Sequence, residues 1–364
     1  MTTTEVVPHQ AAASTGDRQI IAHRVLVGSA ILLALSAVLS LSLGPTGITL
    51  TALPGAVGAL FDPAPDAATA RDQLILLDIR LPRTLLAMFV GASLAVAGAM
   101  LQGLFRNPLA DPGLIGVSGG AALAAVATIA LGNGIAAPLL QPLGIYALPV
   151  AAFLGGAITT GVLVAIAGRH GRLMIGTLLL AGIALGALAG ALTGLIAYAS
   201  DDRELRDLTL WSMGSLGGSS WPKVVAILPF AALVLFMAPR LVRGLNGFLL
   251  GESEAFHLGV AVEKTKRNVI VATAASVGAA VAVAGIIGFV GIVVPHVIRI
   301  LAGPDHRIVL PGSAILGAAL VLIADIAARM IVRPAELPIG VVMAAIGAPV
   351  FLHLVLKRGI GGME

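Results

Sequence analysis

Apolar runs long enough to cross a bilayer recur along this chain and leave little room for any other architecture. They fall near 25–43, 82–104, 113–131, 146–167, 173–199, 222–239, 269–303, 310–330 and 338–356. A helical span needs about 20 predominantly apolar residues. Lipid offers the backbone no hydrogen bonds, so such runs must fold as helices that satisfy their own amides. Hydrophobic residues make up 58% of the 364 and charged residues 11%. A soluble domain carries about 45–50% and 25%. The expected class is therefore an all-α polytopic membrane protein. Every polar gap between the runs is too short to bury a core of its own.

The run at 269–303 is too long for one span. As a single helix it would reach about 52 Å, far beyond a hydrocarbon core of roughly 30 Å. It also holds Gly285, Gly288, Gly291 and Pro295, all helix interrupters. Dividing it into 269–287 and 289–302 yields ten transmembrane helices. Charge favours the division. With nine spans, Arg299, Arg307, Lys357 and Arg358 would lie outside; with ten they join Arg24, Arg106, Arg169, Arg240 and Arg243 inside. The positive-inside rule prefers ten, with both termini cytoplasmic. Residues 1–24 are then a polar tail, 25–358 the ten-helix domain, and 359–364 a short C-terminal tail. The first run reads as a span rather than a cleaved leader, because it exceeds a typical h-region and no small-x-small site ends it.

Composition removes several function classes. The chain has no cysteine, which excludes disulfides, iron–sulfur clusters and thiol chemistry. A net charge of +4 gives no reason to expect nucleic acid. No segment matches the phosphate-binding pattern G-x-x-x-x-G-K-[ST], so the chain is not itself an ATPase. Its histidines are scattered without metal-ligand spacing, and no Ser/His/Asp grouping stands out. Neither a metal site nor an enzyme is expected.

The remaining polar features are few. Asp325 and Arg329 stand four apart on one helix face, where pairing relieves part of the roughly 2.5–3.5 kcal/mol that each costs in a bilayer. An ion-coupled carrier would rely on such an acid, and would transport without any ATPase. A purely structural scaffold would transport nothing. Gly182, Gly186, Gly190 and Gly194 form one smooth stripe, suited to close helix packing or to a path or subunit seam. Arg80 and Arg83 flank Pro82 at the outer end of the second span, where snorkelling to the interface is the simplest role. In FRNPLADPG (105–113), Pro108 and Pro112 forbid a continuing helix and fix a turn at the inner mouth. The segment 200–221 is amphipathic, with Leu205, Leu208 and Trp211 at helical spacing, and is expected to lie on the outer surface.

The stretch GFLLGESEAFHLGV (247–260) is too charged to span a membrane. Ser253 can cap a helix there, Glu254 suits its first turn, and Gly259 can end it. The result is a helix of one to two turns on the cytoplasmic face, or an ordinary ordered loop, with Phe256 and Leu258 available to fill a socket.

Together, residues 80–120, GESEAFHLG (251–259), GFVGIVVPHVIR (288–299), PDHRIVLPG (304–312) and 324–358 resemble the FecCD-type permeases. These are membrane subunits of type II ABC importers for ferric siderophores, haem and vitamin B12. The resemblance implies the ten-helix permease fold, a homodimer, two cytoplasmic ATPase subunits that bind ATP and Mg, and a periplasmic binding protein in a bacterial inner membrane. It assigns Gly251, Glu252, Ser253, His257, Leu258 and Gly259 to ATPase coupling. It moves Arg80, Arg83 and Arg329 toward docking of the binding protein, and makes Asn107 and Leu109 a cytoplasmic gate. The segments 104–126 and 205–218 look most similar to haem permeases, so haem is the expected cargo, with ferric siderophore and cobalamin as alternatives.

Overall fold

The computed structural model describes residues 15–44, 50–58, 62, 66–132, 134, 136–169 and 172–360. In chain order the helices are α1 (Thr15–Ser42), α2 (Leu53–Gly58), α3 (Ala67–Gln73), α4 (Leu81–Leu104), α5 (Val117–Leu131), α6 (Ala137–Leu140), α7 (Ala147–Ala167), α8 (Ile175–Ala199), α9 (Asp202–Ser212), α10 (Trp221–Leu250), α11 (Glu252–His257), α12 (Val262–Ala284), α13 (Val290–Ala302), α14 (His306–Ile331) and α15 (Ile339–Ile360). A π-helical turn, Leu74–Arg80, joins α3 to α4. Two short antiparallel strands, β1 (Gly168–Arg169) and β2 (Arg172–Leu173), turn the chain from α7 into α8.

Each apolar run coincides with a helix. Among the described residues, 7 helical units are long and apolar enough to cross a membrane, and α5, α13 and α15 supply shorter apolar helices. The expected N-terminal tail is partly helical, since α1 begins at Thr15. The rest of that tail, 1–14, and the C-terminal 361–364 lie outside the described residues.

Helix α4 forms the centre, packed against α10, α12, α13 and α14. From Val90 to Leu104 every residue is buried. Small residues make this possible, because in lipid helices associate by close backbone packing rather than by hydrophobic exclusion. A Cβ at Gly91 would strike the backbone of Gly317 on α14, and one at Gly98 the backbone of Gly291 on α13.

The long run breaks between Ala284 and Val290, where glycine was expected to break it. Gly285 takes φ +71°, which a side chain would resist, and a Cβ there would meet the carbonyl of Trp211. The turn after α9 knits this gap. Ser215 N donates to Ala284 O (2.8 Å), while Ile339 N and Gly340 N donate to Gly214 O (3.1 Å) and Met213 O (3.0 Å). The open end of α12 and the start of α15 thus satisfy their backbone groups on one loop. The amphipathic segment is α9, started by a capping box between Asp201 and Glu204, with Leu208 buried beneath it.

Candidate functional site

The charged residues singled out by sequence gather at the two ends of the bundle. At the end holding the start of α4 and the last turns of α1 and α14, Arg83 is 8% exposed, Arg329 5% and Asp325 1%. Arg83 donates through Nε and Nη2 to Asp325 (2.8–3.2 Å), and through Nη1 and Nη2 to Glu336 at 2.9 and 3.0 Å. Arg329 pairs with Asp325 at 3.1 Å and donates to Ser40 Oγ (3.1 Å) and Leu43 O (3.2 Å). Arg80, also buried, donates to the carbonyls of Leu41 and Ser42. All three arginines therefore point into the protein, tying α1, α4, α14 and the loop at 332–338 together. The i,i+4 pair expected from sequence is present, and Arg83 and Glu336 enlarge it. Glu336 was not singled out, since a lone acid in a loop carries no periodic signal.

At the opposite end, α4 stops at Leu104 and the chain turns. Asn107 Oδ1 accepts from Leu109 N (2.9 Å), an Asx turn that fixes the two residues relative to each other. Both are exposed, whereas Ala110 and Pro112 are buried. Asp111 Oδ1 accepts from Gly113 N (2.7 Å), and burial pushes its carboxyl above the ordinary range. Arg299 on α13 holds the turn's base by donating to Gln102 Oε1 and to Ala99 O (3.1 Å). A cavity of about 310 Å³ lies among Gln102, Arg106, Pro108, Arg299 and Leu249. Leu249 belongs to the last turn of α10, directly before α11.

The acidic stretch is a helix, with a start different from the expected one. Gly251 at φ +129° occupies the N-cap position, so Ser253 lies within the first turn instead of capping it. Gly can adopt this backbone because it has no Cβ. Gly259 ends the helix as expected, at φ +79°. Its N–H bonds Phe256 O and that of Val260 bonds Ala255 O, both at 2.9 Å, completing a Schellman motif. Ala255 is fully buried and, with Val260, packs over Gly247 of α10. Phe256 and Leu258 point away from this anchor, 68% and 66% exposed. Glu252, Ser253, His257 and Gly259 are exposed too. Lys266 on α12 closes on Glu252 at 2.6 Å and on Glu263 at 3.3 Å. Sequence reasoning passed over Lys266, although its i,i+3 spacing from Glu263 was a usable sign.

The glycine stripe lies on α8. Gly182 is buried, but Gly190 and Gly194 are exposed, and a Cβ at Gly186, Gly190 or Gly194 would meet nothing within 4 Å. Within one chain most of the stripe is uncovered.

The chain as a whole has close counterparts among known proteins. The FecCD transport family model matches residues 32–357. The chain belongs to the FecCD transport family. It is 49% identical over 291 residues to the hemin transport system permease protein HmuU of Yersinia pestis, covering 78% of this chain and 84% of the relative. It is 44% identical over 294 residues to the vitamin B12 import system permease protein BtuC of Shigella sonnei, covering 81% and 87%. A metal-chelate type ABC transporter solved in an inward-facing conformation superposes with a TM-score of 0.77 at 33% identity, covering 92% of this chain and 99% of that one. This FecCD-family chain is thus the membrane permease of a type II ABC importer, and ATP hydrolysis belongs to a separate subunit.

Proposed function

We propose that this permease forms a homodimer of ten-span subunits in a bacterial inner membrane and passes haem from a periplasmic binding protein to the cytoplasm, driven by two ATPase subunits. Helix α11 carries the proposal. It sets two large apolar side chains, Phe256 and Leu258, in the open on a backbone anchored through Ala255. A soluble partner pushing on a contact so fixed can shift the permease, whereas a slack loop would absorb the push. Gly251, Glu252, Ser253, His257, Leu258 and Gly259 accordingly form the coupling site. In this reading α11 and both termini are cytoplasmic, the orientation that the positive-inside rule favours.

Asn107 and Leu109 form the cytoplasmic gate. Their exposure on a turn held by Arg299 and Gln102 supports that role: a large cargo needs a removable seal, not a selectivity filter. The uncovered face of α8, from Gly186 to Gly194, supports a subunit seam or path over packing within the chain. Arg80, Arg83 and Arg329 mark the outer docking region; the ion pairs of Arg83 and Arg329 and the Arg80 bonds to backbone carbonyls order the rim on which the binding protein sits. Haem is the cargo favoured by the 49% identity to a hemin permease. Cobalamin and ferric siderophore are the alternatives within the class, the former favoured by the 44% identity to vitamin B12 permeases. An ion-coupled carrier is disfavoured because Asp325 is enclosed by two guanidinium groups.

Proteoliposomes containing the permease, its ATPase and its binding protein loaded with haem, a ferric siderophore or cobalamin test the whole reading. ATP-dependent uptake of haem alone is expected. Uptake of another cargo would replace haem, and uptake without the ATPase would overturn the importer mechanism.

A further inference from the structure

A buried ammonium group joins α11 to the entrance of α8. Lys266 is only 4% exposed, though it sits in the first turns of α12 at the polar end of the bundle. A lysine amine has three donors, and each is used here. Nζ reaches Glu252 Oε2 on α11 (2.6 Å), Leu173 O on β2 (3.1 Å) and Glu263 Oε1 on its own helix (3.3 Å). The other oxygen of Glu263 accepts from Leu173 N at 2.8 Å. Both backbone polar groups of Leu173 are thus held by the Glu263–Lys266 pair.

Leu173 stands two residues before α8. It pairs with Gly168, which directly follows α7, and Met174 N donates to Ala167 O (3.2 Å). The hairpin therefore binds the end of α7 to the start of α8 and leaves Lys266 as its polar tether to α11. The ammonium is the buried half of this tether, whereas the side chains of Glu252 and Glu263 are 43% and 38% exposed. An exposed pair exchanges freely with water, but a desolvated ammonium cannot leave one acceptor without finding another. Helix α8 is also the element such a push can move. It packs on α5 and α7, and most of its glycine face meets nothing within the chain.

We propose that Lys266 is the joint through which displacement of α11 reaches α8. Lys266 is a positioning residue: it touches neither cargo nor nucleotide, and it sets how far α8 follows α11. The inference rests on reading α11 as the ATPase contact.

The test uses the reconstituted importer with Lys266→Met, Lys266→Arg and Glu263→Ala. Lys266→Met is expected to keep its ATPase subunits and their hydrolysis while uptake per ATP falls about fivefold or more, a typical allosteric coupling. Lys266→Arg is expected to recover most of the uptake, because the guanidinium keeps the charge and the donors. The chain's lack of cysteine permits a direct second readout with spin labels at Gly176→Cys and Leu301→Cys. ATP should change their separation in the otherwise unaltered protein and leave it unchanged with Lys266→Met. Normal uptake per ATP in Lys266→Met, or labels that never move, would overturn the joint. If Lys266→Met does not assemble, Glu263→Ala decides, since it frees Leu173 N and one Lys266 contact without altering the coupling site: a drop in uptake per ATP supports the joint and normal uptake overturns it. Absence of ATP-dependent uptake in the unmutated complex would instead sink the importer reading itself.

Discussion

Arg83 of α4 and Asp325 of α14, 242 residues apart in sequence, meet through three hydrogen bonds in a site where the carboxylate is 1% exposed. Removing one member of such a buried pair leaves the other's charge uncompensated, at a cost of about 3–5 kcal/mol. Arg83→Gln and Asp325→Asn are expected to lower the thermal unfolding temperature of the detergent-solubilised protein by many degrees. If Arg83 serves docking alone, Arg83→Gln will weaken binding-protein affinity and leave unfolding unchanged.

The exposed side chains of α11 separate interface from fold. Phe256→Ala and Leu258→Ala remove groups that contribute little to the bundle, so unfolding should hardly change. Truncating apolar anchors at the centre of an interface costs roughly 2 kcal/mol or more, so co-purification of the ATPase should fall by more than tenfold. Glu252→Lys is expected to act in the same direction, because it also sets an ammonium beside Lys266. Undiminished capture of the ATPase by all three variants would move the coupling contact elsewhere.

Glycines with and without neighbours should respond oppositely to bulk. Gly190→Leu meets nothing within 4 Å in one chain, so the monomer should fold while dimer formation or transport is lost. Gly91→Leu drives a side chain into the Gly317 backbone, an overpacking that costs about 1–3 kcal/mol or more. It is expected to reduce the yield of folded protein. Size-exclusion profiles and uptake assays of the two variants give the comparison, and a fully active Gly190→Leu dimer would show that the stripe is not closely covered.

Asp111 gives a pH test. Burial raises its carboxyl above the unfolded value, so the folded state holds the proton more tightly. Stability from this group is therefore full below the unfolded value and is lost as pH rises through the folded one. Asp111→Asn keeps an oxygen for Gly113 N and removes the charge. It is expected to match or exceed the parent in stability at neutral pH and to flatten this part of the pH profile. Asp111→Ala loses the hydrogen bond and should cost about 0.5–2 kcal/mol. Thermal unfolding of both variants from pH 4 to 8 measures this.

What the sequence determined by itself is local. Each apolar run became a helix, since a backbone in lipid has no other way to satisfy its amides. Gly285 marked the break in the longest run, and Gly259 ended α11, because both positions need a backbone that side chains resist. The start of α11 differs from the one Ser253 suggests, because Gly251 at φ +129° takes the N-cap position.

The tertiary structure alone decided which charges meet. Spacing along a helix reveals Asp325 with Arg329 or Glu263 with Lys266, but nothing local connects Arg83 to Glu336 or Lys266 to Leu173. The same holds for the glycine stripe. Its period is identical whether a neighbour covers it or not, and only the packed bundle distinguishes Gly182, which is buried, from Gly190, which faces open space. Helix formation depends on hydrogen bonds within four residues, whereas ion pairs and close backbone contacts depend on distances through space that exist only once the helices have assembled.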